Sequence, residues 1–465
     1  RQLHARDDIG HNVAASFMDA AKIGLNAGVD LELPDPFAFP HLVDLVKQGE
    51  VEEGTLNEAV MNILRIKFKL GLFEDPYVDP DNVEGVVGSQ GNRELALEAA
   101  REAITLLKNE GELAPINKVE AKVIAVIGPN GDRRMLGGYA GVPDYNVSLY
   151  EGISALVGND TQVLFSEGCK ITIGGNWADD EITLFNPEED KKSIVEAVKT
   201  AEKADVVVLA IGGNEQTSRE AWATDHLGDR PSLKMVGFQE ELVEDVVATG
   251  KPVIAVVFGG KPLNLKRLTE IVPTIFQVWY LGQESGTAIA DVLFGNYNPG
   301  GKIPISFPRS VGHIPCYYNH KPIARRGYLF DDVSPLFSFG YGLSYTTFEI
   351  ENLRLEKKEI SINEGTAVSV DVKNTGKTAG HEVVQLYIRD KVSSVTRPVK
   401  ELKDFKKVYL EPSETITLSM EISPEKLSFY NIDMDYIVEP GDFEITVGNS
   451  STDDRNKTIL SVKKG

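Results

Sequence analysis

Cysteine is almost absent from this chain, with only Cys169 and Cys316 in 465 residues. That excludes a disulfide-stapled scaffold, and no Cys/His spacing suits a structural zinc site. Buried free thiols are the plain reading of both. Positive charge is also short: 48 Lys and Arg stand against 70 Asp and Glu, leaving a net charge of −22. Without a basic cluster the chain has nothing to neutralise a phosphate backbone, so nucleic acid is not an expected partner. No apolar run in the sequence reaches the roughly 20 residues that a bilayer-crossing helix needs, so no membrane segment is predicted. Phosphate-loop glycines are missing too. Gly128-Pro129-Asn130-Gly131 follows an apolar run but fits neither Gly-x-Gly-x-x-Gly nor Gly-x-x-x-x-Gly-Lys-Ser/Thr, and a tight turn after a strand accounts for it.

What is present describes an ordinary globular protein with ample core. Hydrophobic residues make up 42% of the chain, and its length suits about three domains. The periodicity predicts a helix over Asp8–Ala27, a short strand over Ala27–Pro34, and helices over His41–Gly49 and Thr55–Leu72. Such a set cannot close a core by itself, because the strand needs a parallel neighbour upstream of Arg1. Residues 78–93 read as a linker, and Glu94–Asn109 as a strong helix.

From there to residue 310, near-continuous Val/Ile runs alternate with helical patterns. Strands are expected at Val123–Ile127, Gln162–Phe165, Val206–Ile211, Val253–Val257 and Thr274–Trp279, with helices at Ser193–Ala204, Gln239–Ala248 and Glu284–Leu293. This pattern predicts a mostly parallel sheet buried on both faces. An aromatic-rich linker over 311–345 follows. Beyond Thr346 the pattern turns to period two, with Val368, Val370 and Val372, then Val384, Leu386 and Ile388, then Phe443, Ile445 and Val447 in phase. Residues 346–465 therefore read as a β-sandwich.

Chemistry is expected in the stretch Asp205–Gln239. An apolar strand breaks at Gly212-Gly213 into a long polar loop, at the carboxyl end of a strand where open α/β sheets present their sites. The loop carries Glu215, Glu220, Trp222, His226 and Arg230. Read without further context, Glu220–Arg230 and Arg219–Glu215 are equally well surface ion pairs of little energetic weight.

Several segments together resemble glycoside hydrolase family 3, the retaining, exo-acting β-glucosidases and β-xylosidases. Leu336-Phe337-Ser338-Phe339-Gly340-Tyr341-Gly342-Leu343-Ser344-Tyr345 resembles that family's run into its fibronectin type III-like domain. Asn298-Pro299-Gly300-Gly301-Lys302-Ile303-Pro304, with Ser306-Phe307-Pro308, is similar to the end of its α/β sandwich domain. Leu64–Tyr77 and Ala27–Pro34 look like its exit from the barrel and the last barrel strand. The resemblance runs through the whole chain in the family's order.

It implies an α/β multidomain protein: the C-terminal part of a (β/α)8 barrel (1–77), a linker (78–93), an α/β sandwich domain carrying the acid/base loop (94–310), a linker (311–345) and a fibronectin type III-like domain (346–465). It implies double displacement, with the nucleophilic Asp and most of the barrel expected upstream of Arg1 or on a second chain. The loop pattern Gly213-Asn214-Glu215, Ser218-Arg219-Glu220-Ala221 and Asp229-Arg230 resembles the family's acid/base loop, though it is longer between Glu220 and Arg230. Glu220 matches the acid/base position, with Glu215 the runner-up. Trp222 and His226 either line a sugar site or pack the loop down, and Asp30 either bonds a sugar hydroxyl or a neighbouring loop.

The substrates implied are β-linked gluco- or xylo-oligosaccharides of plant origin, with neither cofactor nor metal. Periplasmic or secreted location and a homodimer fit the same resemblance. Two rival readings are a carbohydrate-binding or assembly fragment and an unrelated nucleotide-binding α/β protein. The missing phosphate-loop glycines argue against the second.

Overall fold

A computed structural model describes residues 11–174, 179, 181–220, 228–323, 327–328 and 330–464. The chain divides into two units, Arg1–Val87 and Gly88–Gly465.

In the first unit, Ser16 caps helix α1 (Phe17–Asn26), its Oγ accepting the Asp19 amide at 3.1 Å. Helices α2 (Leu42–Lys47) and α3 (Glu53–Lys69) follow, then a single turn, α4 (Val83–Val86). Ala20, Ala21, Leu25, Leu42, Leu45 and Ala59 form the core of this unit. The strand expected over Ala27–Pro34 is not a strand here, since extended backbone becomes one only beside a partner. Its polar groups are satisfied locally. Glu32 turns its carboxylate onto the amides of Phe37 (3.1 Å), Ala38 (3.0 Å) and Phe39 (2.8 Å).

The second unit opens with α5 (Gln90–Ala103) and β1 (Thr105–Asn109). The single long helix expected over Glu94–Asn109 is thus a helix followed by a strand. Leu106 and Leu107 are both buried, and an apolar run buried on two faces has no period to distinguish strand from helix. Strand β2 (Val123–Ile127), helix α6 (Leu149–Val157), β3 (Gln162–Ser166), α7 (Pro187–Glu202) and β4 (Val206–Gly212) come next. The alternation ends with α8 (Gln239–Ala248), β5 (Val253–Phe258), α9 (Lys266–Ile271), β6 (Thr274–Trp279) and α10 (Ser285–Leu293).

The six strands lie in the order β1-β6-β5-β4-β2-β3. All pairs are parallel except β1 with β6, where Thr105 faces Gln277 and Asn109 faces Thr274. Side chains alternate along each strand between two cores. Val208, Ala210, Ile254 and Val256 face the side that holds Ile153 and Ile289, while Val207, Leu209, Ala255 and Val257 face Ile194, Leu242 and Leu268. The open edge of β1 is covered, the Leu343 amide bonding the Leu106 carbonyl at 2.8 Å. Phe337 and Tyr341 pack on the core that holds Ile194, Leu242 and Leu268, so much of the stretch read as a linker over 311–345 is built into this layer.

Next come β7 (Phe348–Leu355), β8 (Glu359–Ser361), β9 (Thr366–Asn374), β10 (Gly380–Asp390), β11 (Glu401–Leu410) and β12 (Thr415–Ile422). A helical turn α11 (Pro424–Leu427) precedes β13 (Phe429–Tyr430), β14 (Tyr436–Ile437), β15 (Gly441–Gly448) and β16 (Asn456–Lys463). Sheets β11-β10-β15-β16-β8 and β12-β9-β7 enclose one core. The residues read as in phase from the sequence fill it, Val368, Val370, Val372, Val384, Leu386, Phe443, Ile445 and Val447 being fully buried. Among the described residues no helix is long and apolar enough to cross a membrane.

Candidate active-site loop

The loop that follows β4 is closed at its base by one side chain. Gln239, the first residue of α8, is fully buried and faces the peptide of Gly212, the last residue of β4. Its Oε1 accepts the Gly212 amide at 2.8 Å, and its Nε2 donates to the Gly212 carbonyl at 2.9 Å and the Val236 carbonyl at 2.8 Å. Gly212 is required there. Its φ is +120°, and a Cβ would overlap the Phe258 carbonyl.

From this base the chain makes a capped turn over Glu215–Thr217. Asn214 is fully buried; its Oδ1 accepts the Thr217 amide at 3.1 Å and its Nδ2 donates to Thr172 Oγ1 at 3.1 Å. Glu215 is committed to holding this turn. Its carboxylate receives Arg133 Nη2 at 3.0 Å and the Leu136 amide at 3.2 Å. Its cation partner is therefore Arg133, not Arg219 as the sequence alone suggested.

Tyr280, from the far end of β6, reaches across to the same turn. Its hydroxyl lies 2.7 Å from the Asn214 carbonyl and 2.6 Å from Ser218 Oγ, which also accepts the Gly260 amide at 3.3 Å. Burial pushes the Tyr280 hydroxyl up to about 12, so it stays protonated and can donate at any working pH. Arg219 is buried and donates to the Asp179 carbonyl at 2.5 Å. Glu220 follows and is exposed. Anchored residues up to 219 therefore end in a carboxylate that faces solvent.

The far side of the loop carries cations. Arg230 is half-buried, donates to the Lys234 carbonyl at 3.1 Å, and is held below its ordinary pKa by burial. Lys261, after β5, is shifted down for the same reason, with Asp229 opposing and Arg230 adding to the shift. Lys261 was not singled out by the sequence reading, since no motif reaches from the loop to it.

Trp222 and His226 lie outside the described residues. Asp30 belongs to the first unit, where both carboxylate oxygens accept Asn62 Nδ2 at 3.2 Å. A cavity of about 780 Å³ lined by His313, Tyr317, Tyr318, Lys400 and Asp454 includes neither Glu215 nor Glu220. Among the described residues no group of three His, Cys, Asp or Glu could hold a metal ion.

Residues 104–345, more than half of the chain, match the glycosyl hydrolase family 3 C-terminal domain. The chain belongs to glycosyl hydrolase family 3. Residues 382–451 match the fibronectin type III-like domain that accompanies it. A beta-xylosidase from Formosa agariphila is 40% identical over 97% of this chain, and a periplasmic beta-glucosidase from Salmonella typhimurium is 38% identical over 95%. The chain spans 62% and 60% of the length of these two family 3 relatives. Among solved structures, a β-glucosidase from Erythrobacter marinus superposes with a TM-score of 0.90 at 40% identity, covering 97% of this chain and 61% of its own. A β-glucosidase from Listeria innocua, solved with glucose, superposes at 0.83 with 33% identity, covering 98% of this chain and 61% of its own.

Proposed function

We propose that this chain is the acid/base-bearing part of a retaining, exo-acting β-glycosidase that releases terminal β-linked glucose or xylose from plant-derived oligosaccharides. The observation that carries the reading is Glu220, a solvent-facing carboxylate on a loop rooted by Gln239, Tyr280 and Arg219 at the carboxyl end of the parallel sheet. A general acid must meet the leaving oxygen from outside the sugar ring, so a projecting carboxylate on a fixed root suits the task. Glu215, spent on Arg133 and the Leu136 amide, is the poorer candidate.

In double displacement a second carboxylate attacks the anomeric carbon while Glu220 protonates the departing oxygen. Glu220 then takes a proton from the water that frees the sugar. We assign the nucleophile to no residue of this sequence and expect it from barrel residues outside it. Names among the relatives divide between β-glucosidase and β-xylosidase, and both sugars stay in the proposal.

The test is turnover of aryl β-D-glucoside and aryl β-D-xyloside by the parent protein and by Glu220→Ala. A fall of about 10²–10⁴ that azide reverses, with a β-glycosyl azide as product, supports Glu220 as acid/base. Unchanged rates in the variant, or a loss that azide leaves untouched, would remove it.

A further inference from the structure

Between Glu220 and the sheet stands a set of contacts too specific for simple loop packing. Strand β6 ends at Trp279 in a left-handed conformation, φ +51°, a strained choice for an indole-bearing residue, and the β5–β6 register shifts there. The twist delivers Tyr280 over β5 to the loop after β4. Gly259, with φ +133°, and Gly260 leave room for the crossing; a Cβ on Gly260 would press on the Tyr280 ring at 3.1 Å and meet Ser218 Cβ at 3.5 Å. The Tyr280 hydroxyl then lies within hydrogen-bond distance of two points on the turn, Asn214 O and Ser218 Oγ, while the Gly260 amide supports Ser218 from below. Ser218 is two residues from Glu220, less than about 7 Å along extended chain.

We propose that Tyr280, acting through Ser218, is a positioning residue that fixes where the Glu220 carboxylate stands. The inference rests on Glu220 being the acid/base and extends that reading to the strand that sets its place. Neither Tyr280 nor Ser218 needs to touch substrate. A phenol that is a neutral donor throughout the working pH range gives a hold that does not loosen as the acid titrates. Losing it lets the loop root sample other positions, and proton delivery to a leaving oxygen falls steeply with misplacement of that kind.

A merely structural tyrosine would lower activity on every substrate alike. A positioning one hurts only where a proton is needed. The experiment compares Tyr280→Phe, Ser218→Ala and Glu220→Gln with the parent on two substrates of the preferred sugar: a 2,4-dinitrophenyl β-glycoside, whose leaving group departs without a proton, and an alkyl β-glycoside, whose leaving group requires one. Alongside, amide hydrogen exchange over residues 213–220 is followed in the same proteins.

The expected result for Tyr280→Phe is a loss of about tenfold or more in kcat/KM on the alkyl glycoside, less than about threefold on the dinitrophenyl glycoside, and faster exchange at the loop root. Ser218→Ala should show the same split. Equal losses on both substrates, or exchange unchanged from the parent, would overturn the assignment. Glu220→Gln keeps the two ideas apart. If it shows no leaving-group dependence, the acid/base reading fails, whereas the exchange of Tyr280→Phe still decides whether Tyr280 holds the root.

Discussion

Glu215 and Glu220 sit five residues apart with different surroundings, and the difference makes a prediction for each. Glu215 is tied to Arg133 and to the Leu136 amide, so Glu215→Gln removes a charge-assisted bond and loosens the turn. Its activity should fall most on glycosides whose leaving group needs a proton, by about tenfold for the roughly 1.5 kcal/mol such a bond contributes, and azide should restore nothing. Steady-state rates with and without azide check this beside Glu220→Ala. Far from the loop, Asp390 ends β10 with one oxygen accepting the Val392 amide at 3.3 Å and the other without a hydrogen-bond partner among the described residues. Burial raises its pKa from 3.8 to about 6. The ionised form is therefore disfavoured in the fold, a cost that is full above about pH 6 and vanishes as pH falls toward the unfolded value. Asp390→Asn should stabilise by about 1 kcal/mol at pH 7.5, allowing for partial exposure, and the gain should close by pH 4. Thermal unfolding at both pH values measures it. Sequence pattern singled out Glu220 because a local motif surrounds it. Its support from Tyr280 was illegible, because 62 residues of chain separate Tyr280 from Ser218 and no periodicity spans that gap.

The layers are held by elements that meet with no side chain between them. Helices α6 and α10 cross at Gly152 and Gly286, where a Cβ on either would overlap backbone of the other segment. Gly152→Ala should therefore destabilise by about 3 kcal/mol, since backbone cannot yield as a flexible side chain does, and a urea titration would show a lower midpoint with the slope retained. The parallel strands were legible because Val-, Ile- and Ala-rich runs buried on both faces have few other uses. Strand β1 was not, for the opposite reason. Ala103-Ile104-Thr105-Leu106-Leu107 runs on from α5 without a break residue and mixes helix-forming Ala and Leu with β-branched Ile and Thr, and pairing with β6 makes its second part a strand. Ala27–Pro34 differs in the mirror sense: among the described residues of the first unit none pairs with it, and Glu32 gathers the neighbouring amides instead.

Over the whole second unit, the α/β layer and the β-sandwich share polar bonds at their seam and do not merely touch. Asn298 accepts the Tyr345 amide at 2.8 Å and donates to the Ala379 carbonyl at 2.9 Å, while Gln385 Nε2 reaches the Gly340 carbonyl at 3.0 Å and the Asn449 carbonyl at 2.8 Å. Tyr318 stacks on Phe339 with centroids 4.2 Å apart beside them. Residues 88–465 should accordingly unfold in one calorimetric transition. Gln385→Ala, which strands the buried Gly340 carbonyl at a cost of about 1–3 kcal/mol, should split or broaden that transition. Both layers were readable from period and turn chemistry, yet the seam between them was not, since the motif that opens at Asn298 does not tell where its amide bonds and Gln385 looks like any other surface amide in the sequence.

The Gln239 side chain gives the loop a property of its own. Because Gly212 and Gln239 are bonded to each other directly, the two ends of the intervening chain are pinned at one fixed gate. The anchored turn over Asn214–Ser218 stays with that gate, and added length falls on the chain beyond it. Lengthening there adds only about 0.6 kcal/mol per doubling in closure entropy, so the loop can grow while the gate and the anchored turn stay as they are.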